Sequence, residues 1–192
     1  MTRGTKERIV QTAARLFHVQ GYHATGLQQI LQEAGVPKGS FYFHFKSKQD
    51  LALATLDFFG QVWAGVAQGF LEDPDQPPLE RVRRLFAWYR RYFSERGYTG
   101  GCPVGNLGQE MGDLSPEVGQ VVAASVEAMA GRLAKTLEQA LELGQLPPGQ
   151  DPRRLAFFII SSWQGALIRM KACKCEEPLV IFEETVFDGL LA

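Results

Sequence analysis

The chain has 192 residues, 45% of them apolar and 21% charged, with a net charge of −1. That size and balance fit one or two folded modules and exclude a disordered chain. Three cysteines exclude a secreted disulfide framework, and the longest uncharged apolar stretch, LAFFIISSW at 155–163, is about half a membrane span, so a cytoplasmic protein without leader or membrane partner is expected.

Nearly every segment predicts helix. Ile9, Ala13, Leu16 and Phe17 mark one face of a first helix over 5–20. GYHAT breaks it, with Gly21 where a C-cap glycine belongs. Thr25, followed three residues later by Gln28, predicts a capping box opening a second helix whose stripe is Leu27, Ile30, Leu31 and Ala34. Gly35 ends it, Pro37 restarts the chain, and a short third helix is expected over 38–45. Ser47, with Asp50 three residues on, opens a fourth helix reaching about Leu71, a rod of about 37 Å. A fifth is expected over 79–96 and a sixth around 104–112. Ser115-Pro116-Glu117 starts a seventh that extends to about Leu143, and Asp151-Pro152 an eighth to 174. A ninth is expected from Pro178 through Leu190. The fold class is all-α, about nine helices with no strand and no internal repeat.

The charge is unevenly placed. Residues 1–50 carry seven Lys/Arg against three acids, whereas the remainder carries thirteen against eighteen, which suggests a polyanion contact confined to the N-terminal end. Two short helices joined by Gly35-Val36-Pro37 within the first 45 residues form a helix-turn-helix, whose second helix enters the major groove. On that helix Phe41 and Phe45 are expected in the core. Lys38, Ser40, Tyr42 and Phe43 fall on or beside the opposite face, the helix N-terminus offers amides to a phosphate, and Lys48 is placed to reach the backbone.

The spacing of Thr5, Ile9, Ala13-Ala14, Leu16-Phe17, Gly21-Tyr22 and Ala24-Thr25, then Ile30, Ala34-Gly35-Val36, Lys38-Gly39-Ser40-Phe41-Tyr42, His44-Phe45, Ser47-Lys48 and Leu51, resembles the DNA-binding domain of TetR-family transcriptional regulators. The resemblance covers about residues 5–51; beyond it the likeness is architectural, a divergent helical domain that senses a ligand and dimerises. It implies a DNA-binding domain over 1–46 and a ligand-binding and dimerisation domain over 47–192. Operator DNA would then be met by Lys38, Gly39, Ser40, Tyr42, His44 and Lys48, with Thr25 as a phosphate-contacting N-cap. Ser40, Tyr42 and Lys48 would hold phosphates, while Lys38, Gly39, Phe43 and Gln28 would touch bases, Phe43 through a thymine methyl. By its own surroundings His44 reads as a capping or core-edge residue. GCPVGNL at 101–107 is similar to a segment found in one branch of the family.

In the later helices Trp63, Trp88, Tyr89, Phe93, Met111, Met129 and Trp163 read either as plain core or as the lining of an apolar effector pocket, with Asn106 and Glu110 as polar anchors. The eighth helix is apolar around most of its circumference and needs cover on two sides. Phe158 and the small residues Ser161, Ser162, Gly165 and Ala166, with Leu179, Phe182, Val186 and Leu190 of the ninth helix, suggest a two-fold homodimer interface. Cys173-Lys174-Cys175 is read as plain thiols, an interchain disulfide or a redox sensor, and no metal or cofactor is expected. His18 and His23 are read as structural.

The function expected is a repressor released from a palindromic operator by a small apolar or amphipathic effector. A constitutive or redox-responsive regulator is the alternative. A helical-bundle enzyme using Glu110 or Asp113 lacks a nucleophile–base pair, a metal set or a phosphate loop.

Overall fold

The computed structural model describes residues 4–192; Arg3, one of the basic residues counted above, lies outside them. Nine α-helices follow one another among the described residues: α1 (Thr5–Gln20), α2 (Leu27–Ala34), α3 (Lys38–His44), α4 (Lys48–Leu71), α5 (Pro78–Ser94), α6 (Pro103–Met111), α7 (Pro116–Glu142), α8 (Pro152–Cys173) and α9 (Glu177–Thr185). A π-helical turn, Val186–Leu190, closes the order.

The local start signals explain most of these boundaries. Ser47 Oγ accepts the Asp50 amide at 3.1 Å, and the Asp50 carboxylate accepts the Lys46 amide at 2.9 Å, a reciprocal cap at the head of α4. Ser115 Oγ accepts the Val118 amide in α7, and the Asp151 carboxylate accepts the amides of Arg153 and Arg154 in α8. The expected capping box at Thr25 does not form. α2 starts at Leu27 behind Gly26 without a side-chain cap. Thr25 is fully buried, its hydroxyl donating 2.7 Å back to the Gly21 carbonyl, so it closes the α1–α2 turn instead. The expected last helix is also divided. At Val186 the bonding widens, Leu191 N donating to Val186 O, and Val186, Phe187 and Leu191 are all buried at this chain end.

The described chain forms two compact units. The first holds residues up to Val62 together with Pro103–Ser125; the second holds Trp63–Cys102 and Val126–Ala192. These units differ from a division after residue 46, because the first part of α4, all of α6 and the start of α7 stand with the helix-turn-helix. In the first unit α1, α2 and α3 pack on one another around Ile9, Ala13, Ile30, Phe41 and Phe45, each 3% exposed or less. In the second unit, Phe86 of α5 meets Trp163 of α8 and Phe182 of α9 at ring-centre distances of 5.1 and 5.0 Å. Arg90 of α5 donates to Glu183 of α9 at 3.0 Å and also pairs with Glu176, tying α9 across that core.

Candidate nucleic-acid interface and effector site

α3 divides its aromatic residues between two tasks. Phe41 is fully buried, with the Phe45 ring 5.6 Å away. Tyr42 and Phe43 stand 57% and 85% exposed. Lys38 and Gly39 are exposed beside them, Ser40 and His44 are half-buried, and Gln28 projects from α2. The Phe43 and His44 rings meet edge to face, 5.0 Å between centres. This face therefore combines an exposed apolar ring with exposed positive charge, and a DNA duplex presents matching features, apolar thymine methyls between rows of phosphate. Thr25 is not on this surface, since its hydroxyl is turned inward.

Lys48 is not a loose surface lysine. Its Nζ donates to the Tyr22 carbonyl at 2.6 Å and lies 4.2 Å from the centre of the Tyr22 ring. Partial burial lowers its pKa, with the nearby Glu110 carboxylate opposing that fall. Glu110 itself is not poised as an effector anchor. Its two carboxylate oxygens accept the amides of Tyr22 and His23 at 3.0 and 3.1 Å. With Asn106, Phe17, Thr55, Leu56 and Phe59 it borders a void of about 10 Å³ in the first unit, which has room for no more than a water. The partners of Glu110 lie more than eighty positions away in the chain, so neither spacing nor local pattern could have revealed them.

The candidate effector residues separate between the units. Asn106, Glu110 and the buried Met111 belong to the first. Trp63, Tyr89, Phe93, Met129 and Trp163 belong to the second. There the Trp63 ring meets Tyr89 at 5.6 Å, Tyr89 meets Trp163 at 5.9 Å, and Trp163 meets Phe93 at 6.5 Å. The half-buried Trp63 ring also meets Trp88 at 6.3 Å and Tyr92 at 5.1 Å, and those two rings stack 5.4 Å apart. Burial raises the pKa of the Tyr89 phenol, with Cys102 adding to the rise and Arg132 opposing it. The Trp63 indole N–H is buried without a hydrogen-bond acceptor, an unusual condition for a donor in a protein interior.

Four of the expected interface residues turn inward. Ala166, Leu179, Phe182 and Val186 are buried within their own unit, because α8 and α9 use those faces to close the core against α5. Ser162 is half-buried, while Phe158 and Gly165 face outward. Ile168 and Ile181, not singled out from the sequence, are 53% and 43% exposed. The spacing Phe158, Ser161, Gly165, Ile168 was a legible signal for that outer stripe. At the C-terminus of α8, Lys174 takes a left-handed conformation with φ of 55°. The free thiols of Cys173 and Cys175 lie 2.6 Å apart on either side of it. No cluster of three or more potential metal ligands occurs among the described residues, and no described helix is long and apolar enough to cross a membrane.

A helix-turn-helix with an exposed basic and aromatic face on its second helix, in an otherwise all-helical chain, is the pattern of a DNA-binding transcriptional regulator. The chain belongs to the TetR family: residues 9–55 match the family described as bacterial regulatory proteins, tetR family, and residues 78–186 match the tetracyclin repressor-like C-terminal domain. It is 34% identical over 166 residues to the transcriptional regulator AcuR of Cereibacter sphaeroides, covering 86% of this chain and 76% of the relative. To the repressor DhaR of a Mycobacterium species it is 33% identical over 186 residues, covering 97% and 92%. Its fold is similar to a TetR regulatory protein of Rhodobacter sphaeroides, with a TM-score of 0.87, 31% identity and coverage of 93% and 94%. A crystal structure of reduced NemR from Escherichia coli gives a TM-score of 0.89, 26% identity and coverage of 96% and 95%. Proteins of this family are regulators that bind operator DNA and function as dimers, and the chain is a regulator rather than an enzyme.

Proposed function

We propose that the protein is a cytoplasmic repressor that holds a palindromic operator as a homodimer and releases it when a small apolar or amphipathic effector enters the aromatic cluster around Trp63. On the DNA side, the exposed Lys38, Gly39, Phe43 and Gln28 read bases, while Ser40, Tyr42 and Lys48 hold phosphates. Two of its relatives are named as repressors, DhaR and NemR. The observation that carries the effector reading is the buried, unpartnered Trp63 indole N–H among the rings of Trp88, Tyr89 and Tyr92. A ligand bearing one acceptor on an apolar body would satisfy that donor and replace ring–ring packing with ring–ligand packing. α4 carries both Lys48 and Trp63, so displacement of the helix at one residue reaches the other. To move the population from 1:99 to 99:1, the effector must favour the released form by about 5.5 kcal/mol.

A thermal-shift panel of aromatic and acyl compounds, run on the wild type and on Trp63→Phe, tests this reading. The phenylalanine keeps an aromatic ring and deletes only the donor and part of the ring area. An effector at a hundredfold its Kd should stabilise the wild type by about 2.7 kcal/mol, or several degrees. It should stabilise Trp63→Phe distinctly less, and it should release DNA. Compounds that stabilise both proteins equally, or stabilise without releasing DNA, would count against this site.

A further inference from the structure

The turn between α1 and α2 is gripped by two residues remote from it in sequence. Glu110 of α6 accepts the Tyr22 amide through one carboxylate oxygen and the His23 amide through the other, at 3.0 and 3.1 Å, and its own carbonyl lies 3.4 Å from His23 Nε2. Lys48 of α4 takes the opposite side of the same residue, donating from Nζ to the Tyr22 carbonyl at 2.6 Å over the Tyr22 ring. Gly21 makes room for this arrangement. It sits at φ +91°, and a β-carbon there would come within 3.0 Å of a Glu110 carboxylate oxygen. The Tyr22 main chain is therefore fixed at its N–H by an anion and at its C=O by a cation.

We propose that Glu110 is a positioning residue for DNA binding: it fixes the Tyr22 main chain, whose carbonyl holds the Lys48 ammonium in place for an operator phosphate. The inference rests on the reading of Lys48 as a phosphate contact. An ammonium has three N–H donors, so a single bond to the Tyr22 carbonyl leaves two for an anion. A lysine without that anchor would sample many rotamers and lose that freedom on binding; one already held loses less. The carboxylate suits the holding task because its bonds to amides are charge-assisted and it grips two consecutive N–H groups at once. Partial burial works against the charge of Lys48, and Glu110 offsets that effect, so the same residue places the cation and favours its charged form. The chain of contacts runs Glu110, Tyr22 amide, Tyr22 carbonyl, Lys48, phosphate.

The test is a double-mutant cycle with wild type, Lys48→Ala, Glu110→Gln and the double variant, each confirmed folded by its melting curve. Each is titrated against a duplex that the wild type has selected from a random pool, over a range of salt. Lys48→Ala should make the salt dependence shallower by about 0.9 in logarithmic slope; an unchanged slope would refute the phosphate contact itself, whatever Glu110 does. Glu110→Gln keeps one of the two acceptors and should weaken binding about fivefold, with a shallower slope. In the Lys48→Ala background the same change should cost less than about twofold, since its route to the DNA is gone. Gly21→Ala, which crowds the carboxylate, should show the same dependence on Lys48. If the Lys48 slope changes as expected but Glu110→Gln weakens both backgrounds equally, or leaves the wild type unaffected, Glu110 does not act through Lys48 and the inference fails.

Discussion

Phe41→Ala is expected to abolish operator binding. The Phe41 ring is fully buried among the three N-terminal helices and touches Phe45 at 5.6 Å between ring centres. Truncating a buried phenylalanine typically costs about 3–5 kcal/mol, from lost burial and the cavity left behind. In a chain of this length that lowers the melting temperature by roughly 10 °C. α3 has only seven residues, too few to be stable without its packed face, so the exposed Lys38, Tyr42 and Phe43 lose their platform together. Circular dichroism should register the loss while tryptophan emission reports separately, because Trp63, Trp88 and Trp163 all lie in the second unit. A variant with wild-type melting temperature and wild-type affinity would show that Phe41 is not the keystone of the recognition helix.

Gly165→Glu is expected to separate the dimer while leaving each subunit folded. A β-carbon at Gly165 would meet no atom within 4 Å, so the side chain is accommodated in the isolated subunit. Gly165 lies on the outer stripe of α8 with Phe158 and Ile168, both more than half exposed. If that stripe is the subunit contact, the new carboxylate becomes a buried, unpaired charge costing about 3–5 kcal/mol, which weakens association by roughly 10²–10⁴-fold. Light scattering at micromolar protein should then find monomers with an undiminished helical spectrum, and operator affinity should fall because one subunit holds one half-site. A variant that remains dimeric would move the interface to another face.

The elements legible in the sequence were those fixed by neighbours in the chain. Asp151 before Pro152 and Ser47 before Asp50 announce helix starts through bonds spanning two to four residues. The inward Phe41 and outward Phe43 follow from helical periodicity alone. Thr25 carried the same capping pattern, yet its hydroxyl found the Gly21 carbonyl of the preceding turn, a competitor that the pattern does not encode. Glu110 is expected from the sequence as a polar anchor of an effector pocket, whereas its carboxylate accepts main-chain amides of the α1–α2 turn, partners no local pattern encodes. Phe182 and Val186 belong to a stripe whose apolar character is plain in the sequence. Periodicity cannot tell whether such a stripe meets its own core or another subunit, and here it meets its own core.

The central claim, that a symmetric pair of α3 helices reads DNA sequence, is tested most directly by selection from a random duplex pool followed by sequencing of the bound fraction. The account predicts enrichment of a palindrome whose half-site centres lie about one helical turn apart, or a multiple of it. It also predicts that Lys38→Ala relaxes the preference at one symmetric pair of positions, with each lost base contact worth about 1–3 kcal/mol. A pool that stays random at moderate salt, or an enriched site without two-fold symmetry, would contradict it.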